Sequence, residues 1–321
     1  MQDYVIGIDI GGTMIKGALF GSDGALVEKR SEETRVDRGR DAVLQNLIAL
    51  IKSLLTAKGQ MLSIGIGVAG VLDPPKEVLL QSPNIKPLEQ APLKKLLNEA
   101  LQLPVFLEND ANAAALGEKW AGAGRELDNF LLITLGTGIG GGFILHGDLW
   151  AGENGKAGEI GHMVVATDGI LCACGKRGCL EAYSSATAIK RMAQDAVQSG
   201  ACSSLKNLSR GDFSTIDAEM VHQAALQGDA ISIDIFKQMA RYLAIGISNV
   251  NNLLDIHNFI IGGAASNALE VFRSFLLEEV ARQVYAISQS KIKITASQLG
   301  NEAGIYGAAY LALKSVKPPD R

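Results

Sequence analysis

Val5-Ile6-Gly7-Ile8-Asp9-Ile10-Gly11-Gly12-Thr13-Met14-Ile15-Lys16-Gly17-Ala18-Leu19-Phe20 is the stretch whose reading decides the fold. Residues 5–9 alternate in polarity and are rich in β-branched side chains, the pattern of a half-buried strand. Gly11-Gly12 turns the chain, and residues 14–20 read as a second, antiparallel strand. Glycines in such a turn let backbone N–H groups point at an anion with no Cβ in the way. A carboxylate at the strand end, Asp9, is a hard oxygen donor suited to Mg²⁺. Asp9, Gly11, Gly12 and Thr13 therefore make a candidate site for the terminal phosphates of ATP, although the same letters also occur in plain tight hairpins.

Further along, Ser22-Asp23-Gly24 signals another hairpin, with a strand near residues 26–30. Periodicity predicts helices over 40–55 and 92–101, strands over 63–68, 78–80 and 104–107, and a helix opening at Asp110. A second unit opens at Phe130. Its strand ends at Leu135, glycine-rich residues 136–142 follow, and 143–149 reads as strand again. Strand, glycine turn with a threonine, antiparallel strand: the order of the N-terminus recurs, which indicates an internal duplication. Gly136, Thr137 and Gly138 become a second phosphate-binding candidate. The letters also match GxGxxG, but a dinucleotide fingerprint needs a helix directly after the glycines. Here Phe143-Ile144-Leu145-His146-Gly147-Asp148 reads as strand and turn, so that alternative is rejected. Helices over 186–199, 217–226, 230–254, 268–285 and 302–313 and a buried strand over 257–261 complete the chain. No linker or low-complexity segment separates the halves.

The bulk properties set the outer limits. The chain has 321 residues, 47% hydrophobic and 20% charged, too long for one core and of ordinary globular balance. A net charge of −4 and a pI near 5.7 provide no basic stripe, which argues against nucleic acid as a partner. The start lacks a basic segment and a cleavage pattern, and the most apolar run, 130–145, is broken by glycines and threonines. The expectation is a cytoplasmic protein without a membrane partner.

Four cysteines in such a chain point to metal or redox chemistry before disulfides. Cys172, Cys174 and Cys179 lie within Leu-Cys-Ala-Cys-Gly-Lys-Arg-Gly-Cys-Leu, and His162 precedes them. Three thiolates and an imidazole complete the closed tetrahedral set of a structural zinc ion. A redox pair of Cys172 and Cys174 is the alternative, and the third cysteine and the histidine favour metal. Gly175 and Gly178 would let the loop fold tightly; Cys202 reads as a free thiol. A zinc-bound His162 would keep a proton on its other ring nitrogen for a hydrogen bond.

Glu108-Asn109-Asp110 ends a strand and opens an alanine-rich helix. Asp110 suits helix N-capping, and it also suits the weak base of a phosphoryl transfer, where positioning matters most. Both roles stay open. Asn109 offers a donor and an acceptor to sugar hydroxyls.

Together these segments resemble the ROK family of sugar kinases and repressors within the hexokinase/actin-like superfamily. The resemblance runs from Asp9-Ile10-Gly11-Gly12-Thr13 to Gly304–Ala309. Its most specific parts are Glu159-x-Gly161-His162 and Cys172-x-Cys174-Gly175-x-x-Gly178-Cys179-x-Glu181, joined by Glu108–Ala114 and Leu135–Gly142. It implies an α/β, two-domain actin-like (ribonuclease H-like) fold with an interdomain cleft: an N-terminal domain over 1–120, completed by helix 302–315, and a C-terminal domain over 121–301. It implies that Asp110 takes the proton of a sugar hydroxyl, usually on C6, as the oxygen attacks ATP. Gly70, Asn109, Glu159, His162 and Glu181 would hold the sugar with Asp110, and Gly262-Gly263 would meet the adenosine. Family members are commonly dimers or tetramers.

A repressor of this family carries a winged-helix domain before the phosphate turn, and here Asp9 follows only eight residues. The expected activity is an ATP:hexose phosphotransferase with Mg²⁺-ATP and one zinc ion. Gly124-Arg125, Ser82-Pro83-Asn84 and Glu181-Ala182-Tyr183-Ser184-Ser185 look most like the bacterial glucokinases of the family. Ile85-Lys86-Pro87-Leu88 stands where those enzymes often have Leu-x-Gly-Trp, so fructose, mannose, N-acetylmannosamine and N-acetylglucosamine stay as alternatives. A sugar-sensing protein without turnover is the alternative of another class; it would be marked by loss of Asp9, Thr13, Asp110 or Gly138, all of which are present.

Overall fold

The computed structural model describes residues 2–55 and 59–316, and the chain divides into two compact α/β units. The first comprises Met1–Asp128, Gly142–Gly158 and Asn301–Arg321; the second comprises Asn129–Gly141 and Glu159–Gly300. In the first, strands β1 (Asp3–Ile10), β2 (Met14–Gly21), β3 (Leu26–Glu33), β4 (Gln60–Val68) and β7 (Val105–Asn109) form one sheet in the order β3-β2-β1-β4-β7. The first three are antiparallel neighbours; β1, β4 and β7 run parallel. A small hairpin of β5 (Val71–Leu72) and β6 (Leu79–Gln81) follows β4.

Alternation along β1 builds both faces of this sheet. Ile6, Ile8 and Ile10 point into one core with Val43, Leu47 and Ile51 of α1 (Arg40–Leu54) and Leu93 and Leu97 of α2 (Leu93–Leu101). Val5 faces the other way, with Ala18 and Phe20, into a core shared with Ile305, Ala309 and Ala312. Those three belong to α11 (Ala303–Val316), which packs with α3 (Asp110–Ala121). The approach is backbone to backbone: a Cβ on Gly65 would lie 1.8 Å from the Ala308 carbonyl oxygen.

The second unit carries β8 (Phe130–Leu135), β11 (Asn258–Gly262) and β12 (Lys293–Ala296), all parallel, and the start of β9 (Ile139–Leu145), which continues to β10 (Asp148–Trp150). The sheet order is β10-β9-β8-β11-β12, the order of the first sheet over again. Its helices are α4 (Glu181–Ser184), α5 (Ala186–Gln198), α6 (Leu205–Leu208), α7 (Ala218–Leu226), α8 (Ala230–Leu254), α9 (Leu269–Ala281) and α10 (Ala286–Gln289). Phe236, Met239, Leu243 and Ile247 recur at helical spacing along α8 and are buried. Phe236 stacks on Phe272 of α9, with centroids 5.8 Å apart. Ser185, Asp217 and Asp229 cap α5, α7 and α8 through their side chains.

Three expectations change. β9 begins at Ile139, inside the run read as a turn to residue 142. Glycine suits that strand because a Cβ on Gly142 would meet the Ala115 methyl at 2.6 Å, so the run admits α3. The helix expected over 268–285 ends at Ala281 and resumes as α10. β12 carries only one buried side chain, Ile294, and such an edge strand leaves almost no hydrophobic pattern to read.

Candidate active site

In the first unit, the parallel strands β1, β4 and β7 end in register. Asp9 pairs with Gly67 and Gly67 with Glu108; one residue on, Ile10 pairs with Val68 and Val68 with Asn109. Candidate residues far apart in sequence thus share the carboxyl edge of one sheet, where open α/β sheets bind ligands. The turn after β1 is closed by Gly11 N–H donating to the Met14 carbonyl at 3.0 Å. Thr34, fully buried, clamps it twice: its N–H donates to the Thr13 carbonyl (2.9 Å) and its Oγ1 to the Gly11 carbonyl (2.7 Å). Thr13 itself is exposed. Burial pushes the Asp9 carboxyl up from the usual carboxylate range, and Lys16, its cross-strand partner, opposes the shift. Gly304, in the first turn of α11, leaves Asp9 its room; a Cβ there would lie 3.1 Å from the Asp9 Cγ. A half-buried carboxylate with one cation beside it fits a Mg²⁺ that also carries nucleotide phosphates.

At the end of β7 the helix cap is Asn109, not Asp110. Asn109 Oδ1 accepts from the N–H groups of Ala111 (2.9 Å) and Asn112 (3.1 Å), which leaves Asp110 as the first helical residue. The one-residue shift matters, since capping occupies the side-chain oxygen of whichever residue does it. Asn109 Nδ2 donates in turn to the Gly70 carbonyl at 3.1 Å and to Asp110 Oδ1 at 3.0 Å. One amide therefore joins three of the residues expected at a sugar. Gly70 has φ 148°, a backbone state that favours glycine, and a Cβ there would fall 2.4 Å from the Gln81 carbonyl oxygen.

In the second unit, the turn Gly136–Gly138 is closed by Gly136 N–H donating to the Gly138 carbonyl at 2.9 Å. The start of α5 holds it: Ala186 N–H donates to the Gly136 carbonyl (2.8 Å) and Thr187 Oγ1 to the Thr137 carbonyl (2.7 Å). Glu181 leans into the same turn, where its Oε2 accepts the Ile139 N–H at 2.9 Å. A Cβ on Gly138 would sit 2.3 Å from that oxygen. Gly263, φ 79°, follows β11 and lies against the Leu135 backbone. Next to it, a cavity of about 80 Å³ is lined by Ala186, Ile189, His222, Phe236, Ala264 and Ala265.

The cysteine loop belongs wholly to this unit. The ligand atoms of His162, Cys172, Cys174 and Cys179 all lie within 4.8 Å of one another. Cys174 and Cys179 sulfurs are 3.7 Å apart, and the Cys172 sulfur is 3.9 Å from His162 Nδ1. A tetrahedral ion with bonds of about 2.3 Å to sulfur has S···S edges of about 3.8 Å, so the donor set fits zinc in number, chemistry and spacing. All four cysteines are free thiols. Burial pushes the Cys172 thiol up to about 12 and also raises Cys179, whereas the Lys176 backbone N–H lowers Cys174. Gly175 and Gly178 both have positive φ, as a knuckle this tight requires. With Nδ1 turned to the sulfurs, His162 Nε2 faces Glu159 Oε2 at 3.9 Å. Glu181 Oε1 receives the Cys172 thiol at 3.6 Å, so this carboxylate touches both the sulfur cluster and the glycine turn.

The ROK family model matches residues 5–315. The chain belongs to the ROK family. Among ROK relatives, a glucokinase from Thermotoga maritima is 37% identical over 305 residues, which cover 95% of this chain and 96% of that one. A crystal structure of a ROK glucokinase from Streptomyces griseus, in complex with glucose and AMPPNP, superposes with a TM-score of 0.83 at 34% identity, over 96% of this chain and 98% of that one. A ROK transcriptional regulator, a homologue of the E. coli MLC protein, superposes with a TM-score of 0.86 at 28% identity, over 97% of this chain and 78% of that one. The two-unit ROK architecture is the actin-like fold that the sequence implies.

Several residues that shape these candidate sites carry no readable signal of their own. Thr34 sits at the end of an exposed strand, and Lys76 lies in a turn beside two prolines. Glu108 was legible only as the neighbour of Asn109. Among the described residues, no helix is long and apolar enough to cross a membrane.

Proposed function

We propose that this chain transfers the γ-phosphoryl group of ATP to the C6 hydroxyl of glucose. The observation that carries the reading is the Gly70–Asn109–Asp110 cluster at the carboxyl edge of β4 and β7. In the proposed step, Asp110 accepts the hydroxyl proton while the sugar oxygen forms its bond to phosphorus and the bond to ADP breaks. The loose transition state needs little from the base beyond orientation, and Asn109 supplies that by holding Asp110 Oδ1. Glu159, His162 and Glu181 bind sugar hydroxyls, with His162 donating from Nε2. Gly11–Thr13 and Gly136–Gly138 present backbone N–H groups to the phosphates, and Gly262-Gly263 meets the adenosine. Mg²⁺, held by Asp9, would neutralise phosphate charge. Zinc on His162, Cys172, Cys174 and Cys179 would fix the loop and the tautomer of His162.

The similarity to glucokinases at 37% and 34% identity supports glucose as the hexose. We place the enzyme in the cytoplasm, as a homodimer or homotetramer, with no nucleic-acid partner. A sugar-responsive regulator without turnover is the second reading, favoured by the TM-score of 0.86 to a transcriptional regulator. An ADP-release assay over glucose, fructose, mannose, N-acetylmannosamine and N-acetylglucosamine separates them. Glucose is expected to give the highest kcat/KM, and Asp110→Asn to bind sugar without turnover. Zinc-replete protein that turns over none of the panel would sink the kinase.

A further inference from the structure

Glu108 is 1% exposed, one residue before Asn109, and it ion-pairs with Lys76. A buried carboxylate is costly unless every lone pair is met, and this one is surrounded by donors. Lys76 Nζ meets Oε2, while Asn112 Nδ2 (3.1 Å) and the Asn109 N–H (3.0 Å) both donate to Oε1. Asn109 and Asn112 are the cap and the second residue after Asp110's turn begins, so Glu108 grips the start of α3 from beneath. Lys76 comes from the turn between β5 and β6, the segment that follows Gly70. That turn is built tightly: Lys76 N–H donates to the Asp73 carbonyl at 2.8 Å, and Asp73 Oδ1 accepts the N–H groups of Glu77 and Val78.

The backbone at Lys76 makes the pairing informative. Its φ is 55°, the left-handed region where glycine is the unstrained choice. A lysine here accepts strain, and what its side chain reaches is the buried Glu108. Seven other non-glycine residues share this state among the described residues, so it is the pairing with the buried Glu108, next to Asn109 and Asp110, that points to positioning. Two routes then connect the Gly70 segment to the Asn109-Asp110 helix start: the Asn109 amide on the Gly70 carbonyl, and the Lys76–Glu108 pair one layer deeper.

We infer that Lys76 and Glu108 are positioning residues for the transfer, holding Asn109 and Asp110 at the orientation that the reaction needs. Neither touches the reacting atoms. This rests on the kinase reading proposed above. The phosphate turn at Gly11–Thr13 is held by Met14 and Thr34 rather than by the pair, so nucleotide binding should be insulated from it.

Lys76→Gly is the discriminating variant, because glycine adopts φ 55° without strain and removes only the side chain. Expected, in the ADP-release assay with glucose, is a fall in kcat of about ten- to a hundredfold, the loss that a small misplacement brings. KM for ATP should stay within about twofold, and Lys76→Arg, which keeps the charge, should recover most of kcat. If the glycine variant melts early, Lys76→Met, with a similar aliphatic stem, serves in its place. An active wild type whose Lys76→Gly and Lys76→Met variants keep kcat and both KM values would overturn the inference alone. So would a loss of kcat that Lys76→Arg fails to recover, or one that only tracks the folded fraction in a thermal melt. A wild type with no turnover on any hexose would overturn the kinase reading, and the inference with it.

Discussion

Asn109 does two jobs with two different atoms, and substitution can separate them. Its Oδ1 caps α3, and its Nδ2 donates to Asp110 Oδ1 and to the Gly70 carbonyl. Asn109→Ala removes both. Loss of the cap costs about 1 kcal/mol, which in a protein of 321 residues lowers Tm by about 1–2 °C. Asn109→Asp keeps the capping oxygen and adds a charge that the helix N-terminus favours. The donor, however, becomes an acceptor. Two carboxylates at the 3.0 Å now spanned by a hydrogen bond would repel by about 5 kcal/mol at an effective dielectric of about 20. Either the two groups separate or one of them takes up a proton, and both outcomes take Asp110 away from its role as a positioned base. Asn109→Asp should therefore lose at least about a hundredfold in kcat with glucose. The assays are ADP release and a thermal melt at matched pH. An Asn109→Asp enzyme within about threefold of wild-type kcat would refute the reasoning.

Three further outcomes follow from the same geometry. Asp9 has its folded pKa raised by burial, so its ionisation in the native state opposes folding. Asp9→Asn should melt higher than wild type near pH 7 and lose turnover; the stability gain should shrink as pH falls and vanish below 3.8, where wild-type Asp9 becomes protonated in both states, and a gain independent of pH would contradict this. The zinc site should give about one Zn per chain by elemental analysis, reduced in Cys174→Ser. Because burial keeps the Cys172 and Cys179 thiols protonated without metal, zinc binding should expel protons, and affinity should drop by about tenfold per pH unit for each one as pH falls from 8 to 6; a chelator competition giving a flat profile would rule the thiols out as ligands. Finally, a Cβ on Gly307 of α11 would lie 1.5 Å from the Ala113 carbonyl oxygen of α3. Gly307→Ala should cost about 3 kcal/mol or more, and an unchanged Tm would mean that the two helices sit farther apart than described.

What the sequence determined by itself is the set of local features. The alternation of residues 5–9, the glycine turns, the repeat of strand and turn at 130–149 and the three cysteines within eight positions all depend on near neighbours. Each can therefore be read from spacing, and the family resemblance rests on the same short segments. The tertiary structure decided which atoms serve which partner. Register across β1, β4 and β7 brought Asp9, Gly67 and Glu108 into one row, which no single strand encodes. Capping passed from Asp110 to Asn109, because β7 continues to Asn109 and the helix begins one residue later. Glu181 reached the glycine turn across 42 residues, and Lys76 reached Glu108 across 32. Such contacts leave no periodic trace, since a long polar side chain looks the same in the sequence whether it ends in water or in a buried pair. Packing chooses between the two, by burying the carboxylate and leaving one cation within reach.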